Sequence, residues 1–177
     1  DIANLDLIVI PGGFTFGDYL RCGALAARSP VISSIKNHIS RGGTVLGVCN
    51  GFQILIEAKI LPGSLMRNKK LLFTCKETTL EVQNCIENPF LSDLKIGECF
   101  KIPVAHNEGN YFAPNELLKK LKEEGRIALK YSKQKDNEKN YNPNGSTEDI
   151  AGILSNNGRV LGMMPHPERA INYLHGG

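Results

Sequence analysis

Tryptophan is absent from the 177 residues, aromatic side chains reach only 7%, and methionine occurs three times. Long apolar runs are missing as well: Leu7-Ile8-Val9-Ile10 falls far short of the roughly 20 residues that a membrane helix requires. No membrane partner is expected. Charge of one sign is scarce, since 21 Lys and Arg against 18 Asp and Glu leave a net charge of +3. Such a balance needs no polyanion, and nothing in it points to nucleic acid. The opening residues, Asp1-Ile2-Ala3-Asn4-Leu5-Asp6, lack the basic stretch and apolar segment of a signal peptide. The five cysteines (Cys22, Cys49, Cys75, Cys85, Cys99) are odd in number and stand 27, 26, 10 and 14 residues apart. This supports neither a disulfide framework nor a Cys-x-x-Cys metal clamp, so no metal is expected and five free thiols suit a reducing, cytoplasmic compartment.

What is present is 41% hydrophobic residues, enough for one compact core in a chain short for two ordinary domains. Residues 1–177 are therefore expected to form a single domain. Leu5 to Ile10 ends abruptly at Pro11-Gly12-Gly13, the pattern of a strand buried on both faces in a parallel sheet. Pro30 opens a segment with Val31, Ile32, Ile35, His38 and Ile39 at helical spacing, stopped by Arg41-Gly42-Gly43. Thr44 to Val48 reads as the next buried strand, and Phe52 to Ala58 as a buried helix ended by Pro62-Gly63. This alternation predicts an α/β fold. Farther on, Thr78–Gln83 and Cys99–Val104 read as half-exposed strands, with Pro103 suited to a strand end or sheet edge. Leu117, Leu118 and Leu121 mark an amphipathic helix, and Ile127 to Tyr131 another strand. Ser132 to Glu148 reads as a mobile surface loop, and Asn157-Gly158 as the turn of a hairpin joining Ile150–Leu154 to Val160–Met164.

The sharpest local feature is Gly47-Val48-Cys49-Asn50-Gly51, a Gly-x-nucleophile-x-Gly spacing at a strand-to-helix junction. A turn this tight needs small residues two before and two after the nucleophile. The helix N-terminus after Cys49 would favour thiolate over thiol. Taken alone, the pentapeptide also fits an ordinary buried cysteine. Pro165-His166-Pro167-Glu168 supplies the second group: prolines keep His166 out of helical geometry, and in extended chain Glu168 points to the same side. Glu168 can then hold one ring nitrogen of His166 while the other serves the thiol.

A third element, Pro11-Gly12-Gly13-Phe14-Thr15-Phe16-Gly17-Asp18, lies at the carboxyl end of a strand, where α/β sheets place their sites. Backbone N–H groups there, with that of Asn50, could form an oxyanion hole. Glycines at 12, 13 and 17 fit neither dinucleotide nor P-loop spacing. The other cysteines read as core or surface thiols, His38 as structural, His175 as part of a frayed tail, and His106 as a member of a solvated loop.

Together these segments resemble the class I, triad-type glutamine amidotransferases and, within them, the glutaminase subunits of phosphoribosylformylglycinamidine synthases. Further stretches carry the closer likeness: Tyr19-Leu20-Arg21, Leu61 to Leu65 with Arg67-Asn68, Ala105 to Tyr111, Asn142 to Ser146, and Arg169. The resemblance implies a flavodoxin-like fold, a mostly parallel central sheet with flanking helices. It implies Cys49 as nucleophile on the glutamine amide, His166 as proton relay and Glu168 as its orienting partner. Gly13 and Asn50 would form the oxyanion hole, and Gly12, Gln53, His106 and Glu108 would lie around glutamine. No cofactor is implied in this chain, ATP and magnesium being expected on a synthetase subunit that takes up the ammonia; an additional small subunit is left open. Another amidotransferase, a stand-alone γ-glutamyl hydrolase, and a redox or binding module are the alternatives. The resemblance further implies that Asp1 lies some tens of residues into a longer chain, which would lack its first strand-helix unit here and be cut after Gly177. It also finds Asn107 where such proteins commonly have glycine.

Overall fold

The computed structural model describes residues 2, 4–18, 21–133 and 141–171. His175, Tyr19 and Leu20 lie outside the described residues, as does the 134–140 part of the expected loop. The elements are β1 (Leu7–Ile10), α1 (Pro30–Ser40), β2 (Thr44–Val48), α2 (Asn50–Glu57), β3 (Ser64–Met66), β4 (Thr74–Val82), β5 (Cys99–His106), β6 (Asn110–Phe112), α3 (Asn115–Glu123), β7 (Ile127–Tyr131), β8 (Ile150–Leu154) and β9 (Val160–Met163). Among the described residues, seven strands form one sheet in the order β1-β2-β9-β8-β7-β4-β5, and β3 pairs with β6 in a small ribbon.

The sheet is mixed rather than mostly parallel. Only β1 with β2 and β2 with β9 run parallel. The ladders β9–β8, β8–β7, β7–β4 and β4–β5 are antiparallel. The reason lies in the connections: the five-residue turn around Asn157-Gly158 joins neighbouring strands directly, whereas parallel neighbours need a crossover such as α1. The strand expected to be buried on both faces is also different. Among the described residues β1 lies at one end of the sheet, and Leu7 and Val9 are about half exposed. Pro103 sits within β5, the opposite edge, where its missing N–H breaks no ladder on the open side.

Period-two alternation splits the core into two layers. Ile153 and Val160 face a cluster with Ile32 and Ile35 of α1, Phe52 and Leu55 of α2, and Leu118 and Leu121 of α3. Their neighbours Leu154 and Leu161 face the other way, into a cluster with Leu80, Ile102, Val104 and Leu129. Glycines opposite one another, Gly47 on β2 and Gly162 on β9, let α2 lie close on the sheet. A Cβ on Gly162 would strike the Phe52 ring, and one on Gly47 the Leu55 side chain.

Candidate active site

The carboxyl ends of the three parallel strands open on one place. β1 runs into Gly12-Gly13, β2 into Cys49 and β9 into the segment carrying His166. Cys49 is held at φ 50, ψ −105, a conformation unfavourable for a residue with a side chain, and its N–H donates to the Met163 carbonyl of β9 at 2.8 Å. The Gly51 that follows is packed so closely that a Cβ would overlap the Ile10 carbonyl oxygen. The elbow spacing thus has a direct steric cause.

His166 is 2% exposed, and its backbone N–H donates to the Pro103 carbonyl at 2.9 Å. Its Nδ1 lies 2.6 Å from Glu168 Oε1, while the buried Nε2 has no hydrogen-bond partner among the described residues. A Cβ on Gly12 would come within 2.7 Å of His166 Cε1 and 3.4 Å of Cys49 Cβ. Only glycine fits between the imidazole and Cys49 at that point. Gly13, at φ 152, needs glycine for its backbone instead and lines the cleft with Cys49 and His166. The cleft encloses about 240 Å³.

Burial pushes the Cys49 thiol up to about 11, although the Asn50 backbone N–H and the charge of Arg169 pull the other way. The helix-end effect expected from the sequence is present and is outweighed by desolvation. The resting group is a thiol, so attack requires a base to remove its proton.

The side chains around the elbow form a chain of hydrogen bonds. Thr15 Oγ1 donates to Asn50 Oδ1, Asn50 Nδ2 donates to Gln53 Oε1 at 2.9 Å, and Gln53 Nε2 donates to the Glu108 carbonyl at 2.7 Å. Gln53 lines the cleft with its amide already engaged within the protein. The Glu108 carboxylate accepts from the Cys22 N–H at 3.4 Å and lies 3.9 Å from Arg67 Nε.

His106 is not in a solvated loop. It is the last residue of β5 and 3% exposed, because the inward phase of Ile102 and Val104 continues through it. Its Nδ1 donates to Asn68 Oδ1 at 3.2 Å, and its Nε2 accepts from Asn144 Nδ2 at 3.4 Å. Residues 141–148 are likewise more ordered than a mobile surface loop: Asn144 and Ser146 are buried, and Asn142 accepts from the Gly145 N–H at 2.8 Å. Cys22 and Cys75, read from sequence only as core or surface thiols, both border the cleft, as do Asp18 and Arg169. Asp18 ends the glycine-rich segment after β1 and Arg169 follows the His166 segment, but no local pattern shows that both reach the cleft. His38 is buried beside the Thr44 carbonyl at 3.2 Å, which suits a structural role.

Burial lowers His106 from 6.5 to about 4, so the folded state favours the neutral ring. Between these values the unfolded chain binds more protons, and stability falls as pH drops from 6.5 toward 4. The full contribution is on the order of 3 kcal/mol and is present above pH 6.5. Denaturant titrations at several pH values should give a flatter pH dependence in that window for His106→Gln. An unchanged slope would show that His106 is not the titrating group.

The description of the CobB/CobQ-like glutamine amidotransferase domain matches residues 1–176. The phosphoribosylformylglycinamidine synthase subunit PurQ of Brucella abortus is 53% identical over 174 residues, covering 98% of this chain and 75% of the relative. That of Rhizobium meliloti is 53% identical over 177 residues, covering 100% and 76%. A chain in the structure of PurLQS from Thermotoga maritima superposes with a TM-score of 0.85 at 42% identity, covering 99% of this chain and 74% of that one. By these matches the chain belongs to the CobB/CobQ-like glutamine amidotransferase family, in the branch of the phosphoribosylformylglycinamidine synthase PurQ subunits.

Proposed function

We propose that this chain is the glutaminase subunit of a phosphoribosylformylglycinamidine synthase, hydrolysing glutamine to glutamate and ammonia for a synthetase partner. One observation carries the reading: a buried imidazole held at Nδ1 by a carboxylate, with Nε2 unpartnered, in the same cleft as a strained cysteine at an elbow. A redox thiol would need no such acid-base pair.

In the proposed reaction His166 Nε2 takes the Cys49 proton as the sulfur attacks the glutamine side-chain carbonyl. Negative charge develops on the carbonyl oxygen, and the N–H groups of Gly13 and Asn50 are the donors for it. Collapse breaks the C–N bond, His166 returns the proton to the leaving nitrogen, and ammonia departs from a thioester. Water, deprotonated by His166, then releases glutamate. Ammonia set free in bulk water would be protonated and lose its nucleophilicity, which is why a synthetase must receive it directly. On this reading the synthetase partner would hold ATP and magnesium and convert formylglycinamide ribonucleotide to the amidine. The assembly works in the cytoplasm, a location supported by five free cysteines; no helix among the described residues is long and apolar enough to cross a membrane.

The test is to treat the protein with a glutamine-like electrophile such as a diazoketone analogue and map the adduct by mass spectrometry. Labelling is expected at Cys49, and glutamine turnover is expected to rise when the synthetase is added. Labelling at Cys22 or Cys75 instead would overturn the assignment, and turnover indifferent to any synthetase would favour a stand-alone hydrolase.

A further inference from the structure

The hydrogen-bond chain around the elbow continues past Glu108. The Glu108 carbonyl, which accepts from Gln53 Nε2 at 2.7 Å, and the Gly109 N–H, which donates to Asn68 Oδ1 at 3.1 Å, belong to the same peptide unit. A trans peptide is planar and sends its C=O and N–H out of opposite edges. Gln53 and Asn68 thus grip one rigid plane from its two sides. Asn68 is 1% exposed, lies between β3 and β4, and has its amide fully engaged. Its Nδ2 donates to the carbonyls of Leu72 and His106, both at 2.9 Å, and its Oδ1 accepts from His106 Nδ1 at 3.2 Å as well as from Gly109. Its backbone N–H donates to the Asn107 carbonyl at 2.9 Å, so four of its hydrogen bonds end on residues 106–109. These partners fix which way the amide points, because an N–H can only donate and a carbonyl only accept. Gly109 belongs to the same arrangement, since a Cβ there would strike the His106 ring. At the other end Asn50 Nδ2 donates to Gln53 Oε1 at 2.9 Å, and the Asn50 backbone N–H lies against the Cys49 sulfur. A buried network of this kind recovers its desolvation cost only in one geometry.

We propose that Asn68 is a positioning residue for amide hydrolysis, holding the Glu108–Gly109 peptide so that Gln53 and, through it, Asn50 keep the oxyanion donor at the elbow in place. The inference rests on the glutaminase reading above. Asn68 itself touches neither the substrate nor the reacting atoms. Without its Oδ1 the Gly109 N–H loses its acceptor, the peptide plane is free to turn, and the Glu108 carbonyl moves off Gln53. Asn50 is then tied through Thr15 and Asp18 alone. A preorganised donor matters most when charge develops on the carbonyl oxygen, so the loss falls on turnover rather than on binding of glutamine.

The experiment uses the chain assembled with its synthetase and two readouts at Cys49: glutamine turnover, and alkylation by iodoacetamide followed by mass spectrometry. Alkylation displaces iodide at a saturated carbon and forms no oxyanion. Asn68→Ala is expected to lower kcat for glutamine about thirtyfold, while KM and the rate of Cys49 alkylation change by less than about threefold. In a Gln53→Leu background the same substitution should cost less than about threefold more, because its effect passes through Gln53. Asn68→Ser, whose shorter side chain falls short of Gly109, takes its place throughout if Asn68→Ala fails to fold. Equal loss of turnover and alkylation would make Asn68 a mere support of the cleft wall and would overturn the inference alone. An unchanged kcat, or losses that add in the double variant, would do the same. A wild-type complex that turns over no glutamine would overturn the glutaminase reading, and this inference with it.

Discussion

Cys49→Ala should lower glutamine-dependent synthesis by the assembled complex at least about 10⁴-fold, while synthesis from added ammonia stays largely intact. The size of the effect follows from covalent chemistry: without Sγ there is no thioester, and His166 has no thiol to deprotonate. The separation follows from position. In the proposed reaction Cys49 serves amide cleavage, and ammonia supplied from outside bypasses that step. The substitution removes one sulfur atom from a buried site and leaves the strained backbone as it was, so the variant should remain folded. Equal loss of both activities would mean that Cys49 supports the architecture of the complex rather than the chemistry.

Gly51→Ala should have the largest effect on stability. The added methyl would overlap the Ile10 carbonyl oxygen and lie 2.7 Å from its carbon. Ile10 cannot retreat cheaply, since it is paired with Gly47 in the β1–β2 ladder. A cost of about 3 kcal/mol is expected for such overpacking, which lowers Tm by roughly 6–12 °C for a chain of this size. Glutamine hydrolysis should fail as well, because any shift of Ile10 moves Gly12 against His166. Gly42→Ala is the comparison: its φ is 84 with nothing within 4 Å of a Cβ, so only the backbone cost of about 1–2 kcal/mol applies. If calorimetry gave both variants the same Tm, the close contact at Gly51 would be of no energetic importance.

The parts of the molecule legible in the sequence are those fixed by nearby residues. Pro30 and Gly42 bracket α1, Asn157-Gly158 turns β8 into β9, and the small residues around Cys49 announce the elbow. The pairing of β7 with β4 is not legible, because β4 inserts between β5 and β7, partners distant along the chain. Three-residue strands such as β3 and β6 carry too little alternation to be seen. Cys49, His166 and Glu168 could each be named from local spacing, but their meeting depends on β2 pairing with β9, which no local pattern specifies. His106 reads as solvated from sequence because Asn107, Glu108 and Gly109 are polar. Continuing the alternation of Ile102 and Val104 by one more step would have turned it inward. Asn144 reads as part of a solvated loop for a related reason: an asparagine-rich stretch looks solvated even when its side chains satisfy one another.

The two backbone ties that hold the site have a consequence for how it is lost. Cys49 hangs on β9 through Met163, and His166 hangs on β5 through Pro103. The proposed nucleophile and base therefore come from segments far apart in the chain and are anchored on strands that are not neighbours. No hairpin, helix or fragment of this protein carries a working half of the chemistry. Catalytic competence belongs to the cooperative unit, so any partial opening that frees either anchor disarms the thiol before the rest of the sheet has melted.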